Sequence, residues 1–446
     1  QLRKRVTHVN KKFMKCKSFI KTEIYPSASK HPRAINSYTD ESKAILGPLF
    51  KCVDKCFFSN RFFVKGSNPT EWPRRLKEMM GDLPVVSTDF TSFEAHHQAH
   101  FAGMVHAWFR HMTSRLELDE CTTRMVEAFM MGRNHISFRE VDVSCDNRLM
   151  SGALWTSSSN SFLNWSINCY LCSKAKDRNA SARARADWAF DHIKGLVEGD
   201  DGLFLDYGQN ERDAAAIGCL LKFERSQNFG GANFCGITCD PDSLTVMKNP
   251  RDVWRKFFLI PSKYAGAKKG VVDGLLRAKA LSYYVSYRDC PIIGPLCERV
   301  LYETRSVYAI SSAVDSWHLD LMKQAVAERV WEKKPCVAMS SRVLVAEAFG
   351  ITEEEQIRIE RDIATMDLRS VSTGWSTSDD MWFNDRYVGP YSIMERKVHP
   401  DLVMLIKYWE RQSGGLQSAP SKISKDFTRI SRFVPVDAWD SWDPCV

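Results

Sequence analysis

The chain has 446 residues, 44% of them hydrophobic, with 62 Lys and Arg against 54 Asp and Glu for a formal net charge of +8. That hydrophobic content is ordinary for a folded soluble protein, and the length allows two or three domains, or one large domain with subdomains. No stretch approaches the ~20 apolar residues that cross a bilayer, no secretory signal is evident, and the 14 cysteines read as reduced intracellular thiols.

The charge is uneven. Residues 1–80 hold 18 basic and 6 acidic side chains, a net of +12, and the other 366 residues hold 44 basic and 48 acidic, a net of −4. Basic charge gathered at one end points to a polyanion partner; a disordered basic tail fits residues 3–17 well, but fits less well once apolar residues interleave from Phe19 onward. A first residue of Gln1 rather than Met suggests a cleavage product or a piece of a longer chain.

Residues 19–35, FIKTEIYPSASKHPRAI, set Lys21, Glu23, Lys30 and Arg33 between apolar residues. Lys30 and Arg33 suit a triphosphate, one as a point charge and the other as a planar fork. Taken alone, a solvated basic loop accounts for the segment better. Residues 42–65 read as a helix carrying Cys52 and Cys56 one turn apart. No further zinc ligands lie nearby, so these cysteines read as structural.

Val85 and Val86 begin a buried strand that ends at Asp89, with Glu94 five residues on. Phe101, Met104, Val105, Trp108, Phe109, Met112 and Leu116 then recur at helical spacing. His96 and His100 have i,i+4 metal spacing, but no third ligand is indicated. Asp119 and Gly132 frame another helix as cap and stop. Residues 135–150 suggest a strand pair, leading into MSGALWTSSSNSFLNWSINCYLC. Ser151 and Gly152 form a turn, and Thr156 and Asn160 share one face of the helix that follows. A glycine before a hydroxyl- and amide-rich helix start suits a sugar or phosphate, while plain N-capping uses the same residues. Cys169 and Cys172 on that helix read as packing.

Residues 197–205, VEGDDGLFL, predict a β-hairpin whose acidic turn carries Asp200 and Asp201. Adjacent carboxylates repel and call for a cation, though Gly-Asp-Asp-Gly is also good turn chemistry. Asn210 caps a helix running to Cys219, a short strand carries Lys222, and residues 232–238 read as one strand of a second hairpin. Beyond residue 250 the pattern is mainly helical, with helices expected over 272–289, 294–310, 315–333, 353–366 and 393–411. Thr352 and Glu355 form a capping box for the fourth. Residues 369–392 read as a Ser/Trp/Asp-rich loop, and the chain from Ser413 as loosely structured.

Three carboxylates on neighbouring strands suit two-metal displacement at phosphorus. In this order the motifs resemble those of the RNA-dependent RNA polymerases of positive-strand RNA viruses, nearest to the tombusvirus-like and nodavirus-like group. Motif A is similar to Asp89-Phe-Thr-Ser-Phe-Glu94, and the S-G-x3-T-x3-N of motif B is matched by Ser151, Gly152, Thr156 and Asn160. Gly199-Asp200-Asp201 matches motif C, Lys222 the lysine of motif D, and Phe234-Cys235-Gly236 motif E. Lys21-x-Glu23 with Lys30-x2-Arg33-x-Ile35 resembles motif F.

The resemblance implies an α+β right-hand fold of fingers, palm with antiparallel sheet, and helical thumb. Residues 1–84 would be a fingers portion and 85–240 the palm, with a fingers insertion at about 97–145. Residues 241–412 would be the thumb and 413–446 a C-terminal extension. Because family members carry more chain before motif F, the fingers are expected to be incomplete. Asp89 and Asp200 would bridge two Mg²⁺ ions (Mn²⁺ as an alternative), with Asp201 assisting and the Phe90 carbonyl as a further ligand. Lys21, Lys30 and Arg33 would hold the triphosphate. Glu94, Ser151, Thr156 and Asn160 would contact the nucleotide, Gly152 would free the loop, and Lys222 would act as general acid. The family usually has Asp where Glu94 stands. RNA template, nascent strand and NTPs are the implied partners, with other viral replication proteins in a membrane-associated complex in the host cytoplasm. A reverse transcriptase, or a non-catalytic RNA-binding protein on the same fold, remains as the alternative.

Overall fold

The computed structural model describes residues 14–365, apart from 22–32, 98, 140, 147, 259–263, 265–266 and 311–315. The expectations for Glu23, Lys30, the 393–411 helix and the C-terminal extension lie outside the described residues. The protein is α+β and its chain divides into two compact units, with the division at Pro241 and Asp242.

In the first unit, β1 (Lys15–Ile20) and β2 (Ala34–Tyr38) pair antiparallel, and α1 (Asp40–Phe57) follows. Thr39 caps α1, which ends at Phe57 rather than 65 because a turn over 58–60 takes over. Cys52 and Cys56 are exposed on it, so neither packs as a structural cysteine. Then come α2 (Trp72–Met80), β3 (Val85–Phe90), the single turn α3 (Phe93–His96) and α4 (Ala99–Met112). Phe101, Val105, Trp108 and Phe109 are buried, whereas Met104 and Leu116 are exposed, Leu116 lying past the end of α4. Asp119 caps α5 (Glu120–Met131), accepting from the Thr122 amide at 2.8 Å, and Gly132 stops it.

The strand pair is β4 (Arg133–Phe138) and β5 (Val141–Asp146), and it joins the first hairpin in a sheet of order β2-β1-β4-β5. The β1–β4 pairing is parallel, a long-range contact without a local sequence signal. After α6 (Thr156–Lys176) and α7 (Ala182–His192) the chain enters β6 (Gly195–Glu198) and β7 (Asp201–Leu205). Asn210 caps α8 (Glu211–Ala215), and β8 (Leu221–Ser226) completes a second, fully antiparallel sheet of order β6-β7-β3-β8. Residues 232–238 are not one strand. Phe234 and Ile237 bridge around Cys235 and Gly236, at φ 55° and 71°, which makes a two-residue hairpin turn.

The core of this unit is aromatic. Trp155, just before α6, stacks on Phe50 of α1 at 4.6 Å and on Tyr38 of β2 at 5.7 Å. Such pairs contribute beyond the area they bury, and here they pin the start of α6 to α1 and β2.

The second unit is mainly helical among the described residues, with a two-residue strand at Val246–Met247. It contains α9 (Pro250–Phe257), α10 (Lys269–Tyr287), α11 (Ile293–Glu303), α12 (Ser316–Ala327), α13 (Met339–Phe349) and α14 (Glu353–Thr365). Periodicity missed α9, which is short, and α13, which buries only Ser341, Leu344 and Val345. Thr352 caps α14 as expected, taking the Glu355 amide at 3.2 Å. Glu360 of α14 pairs with Arg342 of α13 at 2.8 Å and accepts the Ile292 amide, so one half-buried carboxylate ties three segments. No helix of the described residues is long and apolar enough to cross a membrane.

Candidate active site

Asp89 is the one exposed residue of β3, whose other five residues are buried. Valines and hydroxyls fill the strand before Asp89, and Phe90 after it is buried again. The ladder registers then assemble a charged row. Glu198 stands opposite Asp201, Thr88 opposite Gly202, and Asp89 opposite Lys222. One further step of the β3–β7 register brings Asp89 alongside Asp201. Glu198, Asp201, Asp89 and Lys222 therefore cross the four strands on one face, since opposed residues of antiparallel strands share a face.

Asp200 lies one position beyond this row, in the turn between β6 and β7. Gly199 supplies the positive φ of 60° and Asp200 does not, which is the II′ pattern of a two-residue hairpin. Thus Asp201 begins the strand rather than sharing the turn. Glu94 sits on α3, where the chain has swung round through Ser92 at φ 54°.

The carboxylates repel one another. Burial first, then the charges of Asp200, Asp89 and Glu198, push Asp201 up to about 7, against a hydrogen bond from the Cys235 thiol. Burial raises Asp200 as well, with Glu94, Asp89 and Glu198 adding to it. Lys65 partly offsets the row from its edge, meeting Glu198 at 3.0 Å. The donor set is all oxygen, which is what Mg²⁺ and Mn²⁺ take, and mutual repulsion is what a cation relieves. In donor chemistry and charge the residues fit a divalent cation. They are not gathered into a finished cage, for among the described residues no group of three or more His, Cys, Asp or Glu is arranged to hold a metal ion.

A second cluster forms where β2 meets the loop before α6. The Lys21 amide donates to the Arg33 carbonyl at 2.8 Å, so these two residues close the base of the basic segment. From Ala34 onward the strand is stitched to the loop. Ser151 Oγ donates to the Ala34 carbonyl at 3.2 Å and accepts from the Asn36 amide at 3.1 Å, and the Gly152 amide donates to the Asn36 carbonyl at 3.0 Å. A Cβ on Gly152 would lie 2.7 Å from that carbonyl, so the close approach requires glycine. Thr156 Oγ1 donates to the Met150 and Ala153 carbonyls. The hydroxyls of Ser151 and Thr156 thus hold the loop itself. Asn160, by contrast, is buried with its Oδ1 unpartnered among the described residues.

The buried face of α6 departs from expectation. Beside Leu163, Ile167 and Leu171 it carries Ser158, Ser159, Asn160, Ser161, Asn164 and Asn168. Sequence reasoning weighed the aromatics of this helix and missed Ser161, Asn164 and Asn168, whose spacing of three and four was visible. It also missed Lys65, Glu198 and the thiol of Cys235. His96 Nε2 is engaged in the fold, accepting from the Leu220 amide at 2.8 Å.

No protein-family model matches the chain, and the search of curated proteins gives no match.

Proposed function

We propose that this chain is an RNA-directed RNA polymerase, adding ribonucleotides to an RNA 3′ end by nucleotidyl transfer in the replication of a viral genome. One observation carries the reading: Asp89, Asp201 and Lys222 share a row across one antiparallel sheet, with Asp200 at its tip. The order of motifs along the chain supports it.

On this reading the β6-β7-β3-β8 sheet is the palm of a right hand, the β2-β1-β4-β5 sheet belongs to the fingers, and the helices from Asp242 form the thumb. Asp89 and Asp200 would hold Mg²⁺, or Mn²⁺, with Asp201 beside them and the Phe90 carbonyl as a further oxygen. When bound, the cation supplies charge neutralisation at the reacting phosphate and its oxygens. Lys222 Nζ gives a proton to the departing pyrophosphate oxygen. Lys21, Lys30 and Arg33 take the triphosphate. Glu94 and Asn160 accept and donate at the ribose hydroxyls, and the Ser151–Gly152 loop, built by Thr156, carries the sugar's edge. RNA template and nascent strand follow the basic N-terminal region. Other viral replication proteins in a membrane-associated complex of the host cytoplasm complete the proposal.

The test is radiolabelled NTP incorporation on a primed RNA template with Mg²⁺, comparing wild type with Asp200→Ala. Incorporation by wild type alone is the expected result. Equal incorporation by both overturns the assignment.

A further inference from the structure

Gly199 is held from both sides by one helix. Its amide donates to Ser161 Oγ at 2.9 Å, and its carbonyl accepts from Asn164 Nδ2 at 3.2 Å. Both side chains are fully buried. Asn168, one turn further, donates through Nδ2 to Asn164 Oδ1 at 2.8 Å and to the Asn164 carbonyl at 3.0 Å. That bond occupies Asn164 Oδ1 as acceptor, so the amide presents its donor side to Gly199. Ser161, Asn164 and Asn168 recur at three and four residues, which aligns them on one face of α6.

The closeness of this face to the hairpin is enforced. A Cβ on Gly202 would lie 2.5 Å from Thr88 Oγ1 and 3.3 Å from Asn164 Oδ1. An apolar helix face would pack the strands more cheaply, because buried amides and hydroxyls are costly unless bonded. What the polar face adds is direction. A two-residue turn has few contacts of its own to fix its tip, and here the residue before Asp200 is fixed at both of its backbone polar groups.

The geometry points to Ser161 and Asn164 as positioning residues for Asp200 and Asp201, with Asn168 orienting Asn164. This rests on the polymerase reading for what the carboxylates do, but the clamp itself is a statement about the turn. Neither side chain touches substrate. Each acts through the Gly199 backbone, and residues that orient metal-binding groups in this way typically change metal affinity or activity by about 10–100-fold when lost.

The experiment uses the full chain and three variants, Ser161→Ala, Asn164→Asp and Ser159→Ala. Asn164→Asp keeps the shape and removes the donor. Ser159→Ala removes an equally buried hydroxyl from the same helix, one that has no partner among the described residues. Two readouts are taken: Mn²⁺ affinity by water-proton relaxation, and steady-state NTP incorporation. The expected result is a roughly 10–100-fold loss in Mn²⁺ affinity or in kcat for Ser161→Ala and Asn164→Asp, with the KM for NTP unchanged. Ser159→Ala should match wild type in both. Equal behaviour of Ser159→Ala and Ser161→Ala, or a change confined to KM, overturns the proposal. Wild type that neither binds Mn²⁺ nor incorporates NTP overturns the polymerase reading instead. Hydrogen exchange of the wild-type Gly199 amide tests the clamp without any variant. Protection is expected, although the residue sits in a turn, and free exchange overturns the clamp.

Discussion

Asp89 of β3 and Lys222 of β8 stand directly opposite one another in the ladder, so a carboxylate and an ammonium share one face of the sheet 133 residues apart in sequence. Lys222 is exposed, as is Asp89, so the pair contributes little to stability. On the polymerase reading, Lys222→Met should leave the thermal midpoint unchanged and lower kcat by about 10²–10⁴-fold, the usual worth of a positioned proton donor. Single-turnover incorporation checks this, and a loss confined to KM would move Lys222 to triphosphate binding.

Asn160 has a buried oxygen without a partner among the described residues, next to Ser161 of the clamp. On the polymerase reading, the ribose 2′-hydroxyl is the donor this oxygen lacks. Asn160→Ala should therefore reduce discrimination between ribo- and deoxyribonucleotides by about 1 kcal/mol, roughly fivefold. Competing NTP and dNTP incorporation measures the ratio. A ratio equal to wild type would remove Asn160 from sugar recognition.

His97 is buried, and burial first, then the Arg148 charge, lowers its pKa from 6.5 to about 4. The unfolded chain takes up the proton below about 6.5, while the folded chain stays neutral until about 4. Stability therefore falls as pH drops through that window, by about 3 kcal/mol for this group. His97→Gln should flatten that fall. Urea midpoints between pH 4 and 7 check it, and parallel slopes for wild type and variant would sink the assignment.

Gly152 lies against the backbone of β2, where a Cβ would meet the Asn36 carbonyl at 2.7 Å and Ile35 Cγ2 at 3.1 Å. Gly152→Ala must push the loop from the strand and lose the Gly152–Asn36 hydrogen bond. The expected cost is about 1–3 kcal/mol, read as a lower thermal midpoint. Gly103→Ala on α4, where nothing lies within 4 Å of the new methyl, serves as the tolerated comparison.

Short-range signals carried most of the elements. Alternation and turn chemistry gave the β6–β7 hairpin, because Gly199 needs a backbone angle that few other residues adopt. Asp119, Asn210 and Thr352 each satisfy an amide within three residues, so their caps were legible from spacing. Where the signal was weak the elements were misjudged. Residues 232–238 alternate like a strand, yet Cys235 and Gly236 reverse the chain. The helix α9 is too short for a clear period, and α13 buries only Ser341, Leu344 and Val345, too thin a stripe to show one.

By itself, the sequence determined which side chains are available for the proposed chemistry: the carboxylates at strand ends, the glycines of the turns, the polar start of α6. Tertiary structure alone decided which of them meet. The parallel β1–β4 pairing joins segments about 120 residues apart, Lys65 reaches Glu198 across 133 residues, and Ser161 reaches Gly199 across 38. The same buried serines and asparagines of α6 would read as ordinary solvated residues on an exposed helix. They face inward because the aromatic packing around Trp155 fixes the rotation of α6, and the strands it covers then offer backbone groups for them to bond. A local pattern sets the backbone angles of a few residues, whereas the direction a polar face points is set by whatever packs on the other side.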